Sequence, residues 1–265
     1  MAELREISLE VTDRVGTITL NRPERMNAWT PMMEAQFRDS ITLASTDDNI
    51  RAIVVTGAGR AFCVGAEMGQ LSANSKNGRA AQARTSQAGD FEQRYSYLLA
   101  VPKPIIAAIN GAVAGVGLCI ALYCDLRYMA AGSKLSTAFV RRGLVAEHGS
   151  AWMLPRLIGP MNAADLLLSA RTVTAEEADR MGLVRALPTD GFRDAVQHIA
   201  SDLANLSSPR AMGVIKRQLS HAPFQGLAEA TRLSEEEIAK CRGTEDYREG
   251  IAHYLAKRKP EFTGN

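Results

Sequence analysis

The chain has 265 residues, 46% hydrophobic and 23% charged, which is an ordinary globular composition and excludes a disordered, collagen-like or coiled-coil chain. Thirty-one Lys and Arg against 29 Asp and Glu leave a formal net charge of +2, without the basic excess of a dedicated nucleic-acid binder. Aromatic residues are 6%, too few for base-stacking platforms, and leave a core of Leu, Ile, Val and Ala.

Residues 5–20 read as a hairpin, because REISLEV and GTITLNR alternate in strand fashion around Asp13, Arg14 and Gly16. Asn21-Arg22-Pro23 ends the second strand. Thr30-Pro31 is an N-cap followed by Pro at the first helical position, and predicts a helix to about Ala44. Arg51–Thr56 is a short buried strand closed by Gly57-Ala58-Gly59. The polar stretch 72–90 has no clear period and predicts a surface loop, with Lys76, Arg79 and Arg84 against Asp90. A helix around Phe91–Leu99 leads to Pro102-Lys103-Pro104.

Ile105–Cys124 is twenty residues without a charge, long enough for a membrane span. The β-branched start, the Asn110-Gly111 turn signal and the further glycines at 115 and 117 favour strand, turn and buried helix instead. A strand follows near Leu126–Ala130, then helices: Asn162–Ser169, a capping box at Thr174 and Glu177 whose helix stops at Gly182, another opened by Ser208-Pro209, and two over 227–241 and 244–256. Strands alternating with helices, then helices alone, define an α/β chain with a helical C-terminal region.

Cys63, Cys119, Cys124 and Cys241 have no CxxC spacing and read as reduced, buried thiols. The four histidines, His148, His198, His221 and His253, show no ligand spacing, so no metal is expected. MAELREISLEV has early charges and no apolar stretch of the secretory kind, so the expected location is cytoplasmic.

TGAGRAFCVGAEM (56–68) and NGAVAGVGLCIA (110–121) both follow apolar strands. Glycine admits positive φ and close approach to backbone amides, and a following helix leaves free N–H groups. Both segments are candidate anion-facing loops. A dinucleotide fingerprint fails in detail. Phe62 and Ile120 stand where a small residue is needed, and Asn77 and Thr137 where a ribose-binding acid belongs.

These loops, with ITLNRPERMNAW (18–29), PKPIIAAINGAVAGVGLCIALYCDLRYMA (102–130), GLVAEHGSAWMLPRLIG (143–159), TAEEADRMGLV (174–184) and YLAKRKPEF (254–262), resemble the crotonase family, the enoyl-CoA hydratase/isomerase superfamily. The likeness runs over essentially the whole chain. It implies a spiral of ββα units over residues 1–200, and a helical region over 201–265 that builds homotrimers or dimers of trimers. It implies an acyl-CoA thioester as substrate, no separate cofactor, and neither nucleic-acid nor membrane partners.

By the same likeness, the backbone N–H groups of Ala66 and Val116 form an oxyanion hole for the thioester oxygen. Removing a proton beside a thioester makes an enolate, and preorganised donors stabilise it. Arg25, Ala28, Met68, Gly115, Phe139 and His148 are expected to contact substrate alongside Ala66 and Val116. Arg22 and Arg25 fall near the nucleotide end of CoA, and Lys257 and Lys259 are candidates to reach CoA on a neighbouring subunit.

Hydratases of the family use two glutamates. Here Cys119 and Phe139 stand in the matching positions, and neither is a carboxylate. Glu147, in GLVAEHGS, matches the acid of family isomerases, which move a double bond from the 3- to the 2-position with one carboxylate. Phe139, Trp152 and Met153 are candidate apolar walls that would raise its pKa. The resemblance leaves three alternatives: a hydratase with a non-standard acid/base set, a hydrolase- or dehalogenase-like relative with Glu147 as nucleophile, and a non-catalytic acyl-CoA-binding scaffold.

Overall fold

In the computed structural model, which describes residues 6–67, 69 and 89–265, the opening hairpin forms as its alternation predicts. β1 (Ile7–Thr12) pairs antiparallel with β2 (Val15–Leu20), and Asp13 and Arg14 turn the chain with positive φ at both positions. Such a two-residue turn matches the twist of the strands it joins. β2 then pairs in parallel with β3 (Ala52–Gly57). Three more parallel strands follow across this sheet: β5 (Ile105–Ile109), β7 (Leu126–Ala130) and β10 (Arg185–Leu187), in the order β1-β2-β3-β5-β7-β10. β3 and β5 are buried along their whole length, as their unbroken apolar runs require of parallel strands covered on both faces.

A second sheet collects the strands that follow each of these: β4 (Ala61–Cys63), β6 (Ala112–Ala114) and β8 (Lys134–Ser136), with β9 (Val173–Thr174) at its edge. The chain therefore repeats one step: a strand in the large sheet, a turn, then a short strand in the small sheet. That repeat is the ββα spiral.

The helices are α1 (Pro31–Thr46), α2 (Val116–Leu122), α3 (Ser150–Ser169), α4 (Ala175–Arg180), α5 (Phe192–Leu206), α6 (Pro209–His221), α7 (Leu227–Cys241) and α8 (Glu245–Ala256). Thr30, Thr174 and Ser208 cap α1, α4 and α6 through their hydroxyls, which accept from backbone N–H groups in the first turn. α2 is buried throughout, which explains its uncharged sequence, and no helix among the described residues is long and apolar enough to cross a membrane.

Several expectations need correction. Phe91–Leu99 is not an α-helix but a run of turns ending in a 3-10 turn, Ser96–Ala100. The helix expected at Asn162 begins at Ser150 and is interrupted at Gly159 (φ 76°, ψ 161°), where Pro160 restarts it. α5 was not foreseen at all. The loop expected over 72–90 lies outside the described residues, except for Asp90 and its predecessor Gly89.

One buried cluster joins the two sheets to α1–α4, and a second lies between the large sheet and α5. The last three helices contribute little to either. Their buried residues are polar: Lys216 on α6 and Asp246 on α8. Lys216 Nζ donates to the Lys103 carbonyl (3.0 Å) and to Asp125 Oδ2 (2.8 Å), pinning α6 to the base of β7.

Candidate active site

The two glycine loops meet. Beyond β4, Gly65 has φ +98°, and beyond β6, Gly115 has φ +51°. A Cβ placed on Gly115 would stand 3.6 Å from the Gly65 Cα, so the backbones are in contact. Ala66 and Val116 are the residues immediately after these glycines.

The Trp29 N–H donates to the Gly65 carbonyl (2.8 Å), and the Glu67 N–H donates to the Trp29 carbonyl (3.1 Å). This bridge brackets Ala66 and leaves its own N–H unspent on Trp29, without an acceptor among the described residues. Val116 opens α2, so its N–H has no carbonyl one turn back. Gly117 lets α2 approach β4 so closely: a Cβ there would lie 2.4 Å from the Cys63 carbonyl oxygen.

Asn27 locks the entry to the first loop. It is fully buried, accepts from the Arg22 N–H (2.8 Å), and donates to the carbonyls of Ala58 (3.0 Å) and Ala61 (2.8 Å). Arg22 is spent inside this loop, on Glu6 (3.1 Å), Glu67 (3.3 Å) and the Ala28 carbonyl (2.7 Å). Arg25 is exposed. Ala28 is buried beside Trp29, and Met68 lies outside the described residues. Lys259 lines a cavity with Arg14 and Arg51 at the hairpin turn of its own chain.

Glu147 arrives on a loop that α2 itself holds. Phe139 is buried at its start, and His148 (φ 50°) and Gly149 (φ 74°) turn the chain into α3. Tyr123, just past the end of α2, donates its hydroxyl to the His148 carbonyl (2.8 Å), and the Cys119 thiol faces the Glu147 carbonyl at 3.7 Å. One helix thus carries Val116 at its first position and fixes the Glu147 loop along its side.

Burial raises the Glu147 pKa above the ordinary carboxylate value, while Arg94 and Arg142 oppose the rise. Burial pushes the His148 imidazole down to about 4, and the Arg94 charge acts in the same direction. His148 is neutral near pH 7 and its Nε2 stands 3.4 Å from Arg94 Nη1. Arg94 is held in turn by both carboxylate oxygens of Glu34. Burial, with Glu147 adding to it, pushes the Cys119 thiol up to about 12. It is therefore a neutral sulfur at pH 7, not a stand-in for a carboxylate.

Tyr95 sits edge-on to both Trp29 (6.2 Å) and His148 (5.1 Å), with its hydroxyl buried and unpartnered. Arg94, Tyr95, Glu34 and Tyr123 were not anticipated from the sequence. Arg94 and Glu34 come from segments far apart in the chain, and no local spacing announces their pairing. Among the described residues, no three His, Cys, Asp or Glu side chains gather to hold a metal.

The fold is a spiral of ββα steps in which two glycine loops meet at the start of α2 and the Glu147 loop lies along the side of that helix. The sequence pattern of the enoyl-CoA hydratase/isomerase family matches residues 10–265. The chain is 34% identical to the 1,2-epoxyphenylacetyl-CoA isomerase of Escherichia coli K12, over 94% of this chain and 95% of that one. It is 35% identical to a "Probable enoyl-CoA hydratase" of Rhodobacter capsulatus, over 97% and 98% respectively. A solved enoyl-CoA hydratase from Polaromonas sp. JS666 superposes with a TM-score of 0.88 at 28% identity, covering 97% of this chain and 99% of that one. Another, from Bacillus anthracis, gives 0.87 at 27% identity, covering 98% and 100%. The chain belongs to the enoyl-CoA hydratase/isomerase family and is an enzyme of the crotonase fold.

Proposed function

We propose that the enzyme moves the double bond of an enoyl-CoA thioester from the 3- to the 2-position, with Glu147 as its single acid/base. The observation that carries this reading is the half-buried Glu147 carboxyl on the loop that α2 holds, with Cys119 and Phe139 at the two positions where the family's hydratases have glutamates. Glu147 takes a proton from C2. The dienolate oxygen rests on the N–H groups of Ala66 and Val116, and the same carboxyl returns the proton at C4. A carboxyl whose pKa is raised by burial is a stronger base than one in water, and it gives the proton back at a rate water would not match. His148, neutral, lines the substrate side of the loop. Arg25, Ala28, Met68, Gly115 and Phe139 are the remaining proposed substrate contacts, and CoA enters as part of the substrate.

Residues 1–200 are read as the catalytic unit and 201–265 as the region that forms a homotrimer or a dimer of trimers. The exposed apolar side chains of α7 and α8 support this second part of the reading, and a cytoplasmic location goes with it.

Assay with 3-enoyl-CoA and with 2-enoyl-CoA tests the proposal. Isomerisation of the former is expected, and it should fall by roughly 10²–10⁴-fold in Glu147→Gln while the variant still binds the thioester. Water addition to 2-enoyl-CoA without isomerisation would replace this reading with hydration.

A further inference from the structure

A cavity of about 290 Å³ lies next to the Glu147 loop. Ala66, Val116 and Glu147 do not line it, but it adjoins them through two shared residues. His148, which follows Glu147, forms part of its wall, and so does Tyr95, whose ring packs on the Trp29 that brackets Ala66.

Its apolar lining is mostly rings, from Tyr95, Tyr123, His148, Trp152 and Phe224, set beside the polar Asp90, Gln93, Arg94 and Ser96. Trp152 and Phe224 stack at 5.2 Å with 13° between their planes, and Arg156 lies over the Trp152 ring at 3.9 Å. Tyr95 meets His148 edge-on, and Tyr123 closes the side toward α2. Leu99 is the one aliphatic side chain among the lining residues. A straight alkyl chain is usually received by flexible aliphatic side chains along a long groove. This volume stands at the small end for ligand pockets, enough for a ring and too short for a long chain. The charged groups ask for no anionic tail either. Arg94 is committed to Glu34, and Asp90 in the same wall repels a carboxylate.

Resting on the reading of Glu147 as the base, we propose that this cavity receives the acyl group and that the acyl group ends in an aromatic ring. The substrate class is then aryl-acyl-CoA thioesters. A ring placed among these side chains gains edge-to-face contacts that a saturated chain does not.

Phenylacetyl-CoA and octanoyl-CoA carry the same number of acyl carbons, and the octanoyl chain exposes more apolar surface. Bulk transfer alone would favour octanoyl. Equilibrium binding to the purified full-length protein is expected to favour phenylacetyl-CoA by on the order of tenfold. Trp152→Leu and Phe224→Leu should each shrink that ratio severalfold. A purely structural role for the stacked pair would weaken both ligands alike and leave the ratio intact, which would overturn the proposal. So would octanoyl-CoA binding equally or more tightly, or a failure of phenylacetyl-CoA to bind.

Exchange of the C2 hydrogens of phenylacetyl-CoA in heavy water separates this inference from the chemistry it rests on. If the ring preference holds but exchange does not depend on Glu147, the base assignment falls and the cavity assignment stands. If Glu147-dependent exchange occurs without a ring preference, the cavity assignment falls.

Discussion

Arg94 stands at the centre of the site's charge balance. It binds Glu34, touches His148, and offsets the effect of burial on Glu147. Glu147 must be ionised to act as a base, so activity is lost as the pH falls through its raised pKa. With Arg94→Gln, an opposing positive charge disappears, burial acts with less resistance, and that loss should set in at higher pH. The pH profile of kcat/KM on a 3-enoyl-CoA is the measurement, and an unmoved acid limb would show that Arg94 does not reach Glu147. The His148 pKa is depressed to about 4, so the imidazole is neutral near pH 7 and the acid limb is expected to report Glu147. The raised Glu147 pKa was legible in the sequence, whereas the part played by Arg94 was not. Glu147 and His148 were visible there as a motif, but Arg94 lies in a segment expected to be helical, and its partner Glu34 comes from α1.

At the scale of elements, α2 is the part on which the site depends. It sets the Val116 N–H, holds the Glu147 loop through Cys119 and Tyr123, and rests on β4 where Gly117 leaves room. Gly117→Ala puts a methyl group against the Cys63 carbonyl, a backbone atom that cannot swing away. A loss of about 1–3 kcal/mol in urea unfolding is expected, with activity falling further because the two loops part. Unchanged stability would mean that α2 is not seated as described.

The sequence announced α2 well, through its glycines, its lack of charge and its β-branched lead-in. It announced α1, α4 and α6 through Thr30, Thr174 and Ser208, whose hydroxyls do cap those helices. β4, β6 and β8 escaped because three residues are too short to show a period of two. α5 escaped for another reason: Gly191 precedes it, and no Ser, Thr, Asp or Asn side chain caps its first turn to announce a start.

At the scale of the whole molecule, the two buried clusters draw on β1 through α5, while Leu227 (84% exposed), Leu255 (75%), Ile238 and Tyr254 stand out on α7 and α8, as Met161 and Leu168 do on α3. Contact with a second copy would cover such side chains. In the proposed trimer these side chains meet a second copy. Leu227→Glu with Leu255→Glu should therefore lower the mass measured by light scattering to that of one chain, and a parent protein that is already monomeric at micromolar concentration would refute the assembly.

The order of the large sheet has a consequence for how the protein is made. β7 gains its last neighbour only through the pairing of Tyr128 with Arg185, so its outer edge stays open while the intervening chain is translated. At ribosomal speeds that wait is roughly 3–10 s. During it, the nascent polypeptide displays an unfinished β edge backed by one of its most apolar stretches, open to pairing with other chains until β10 covers it.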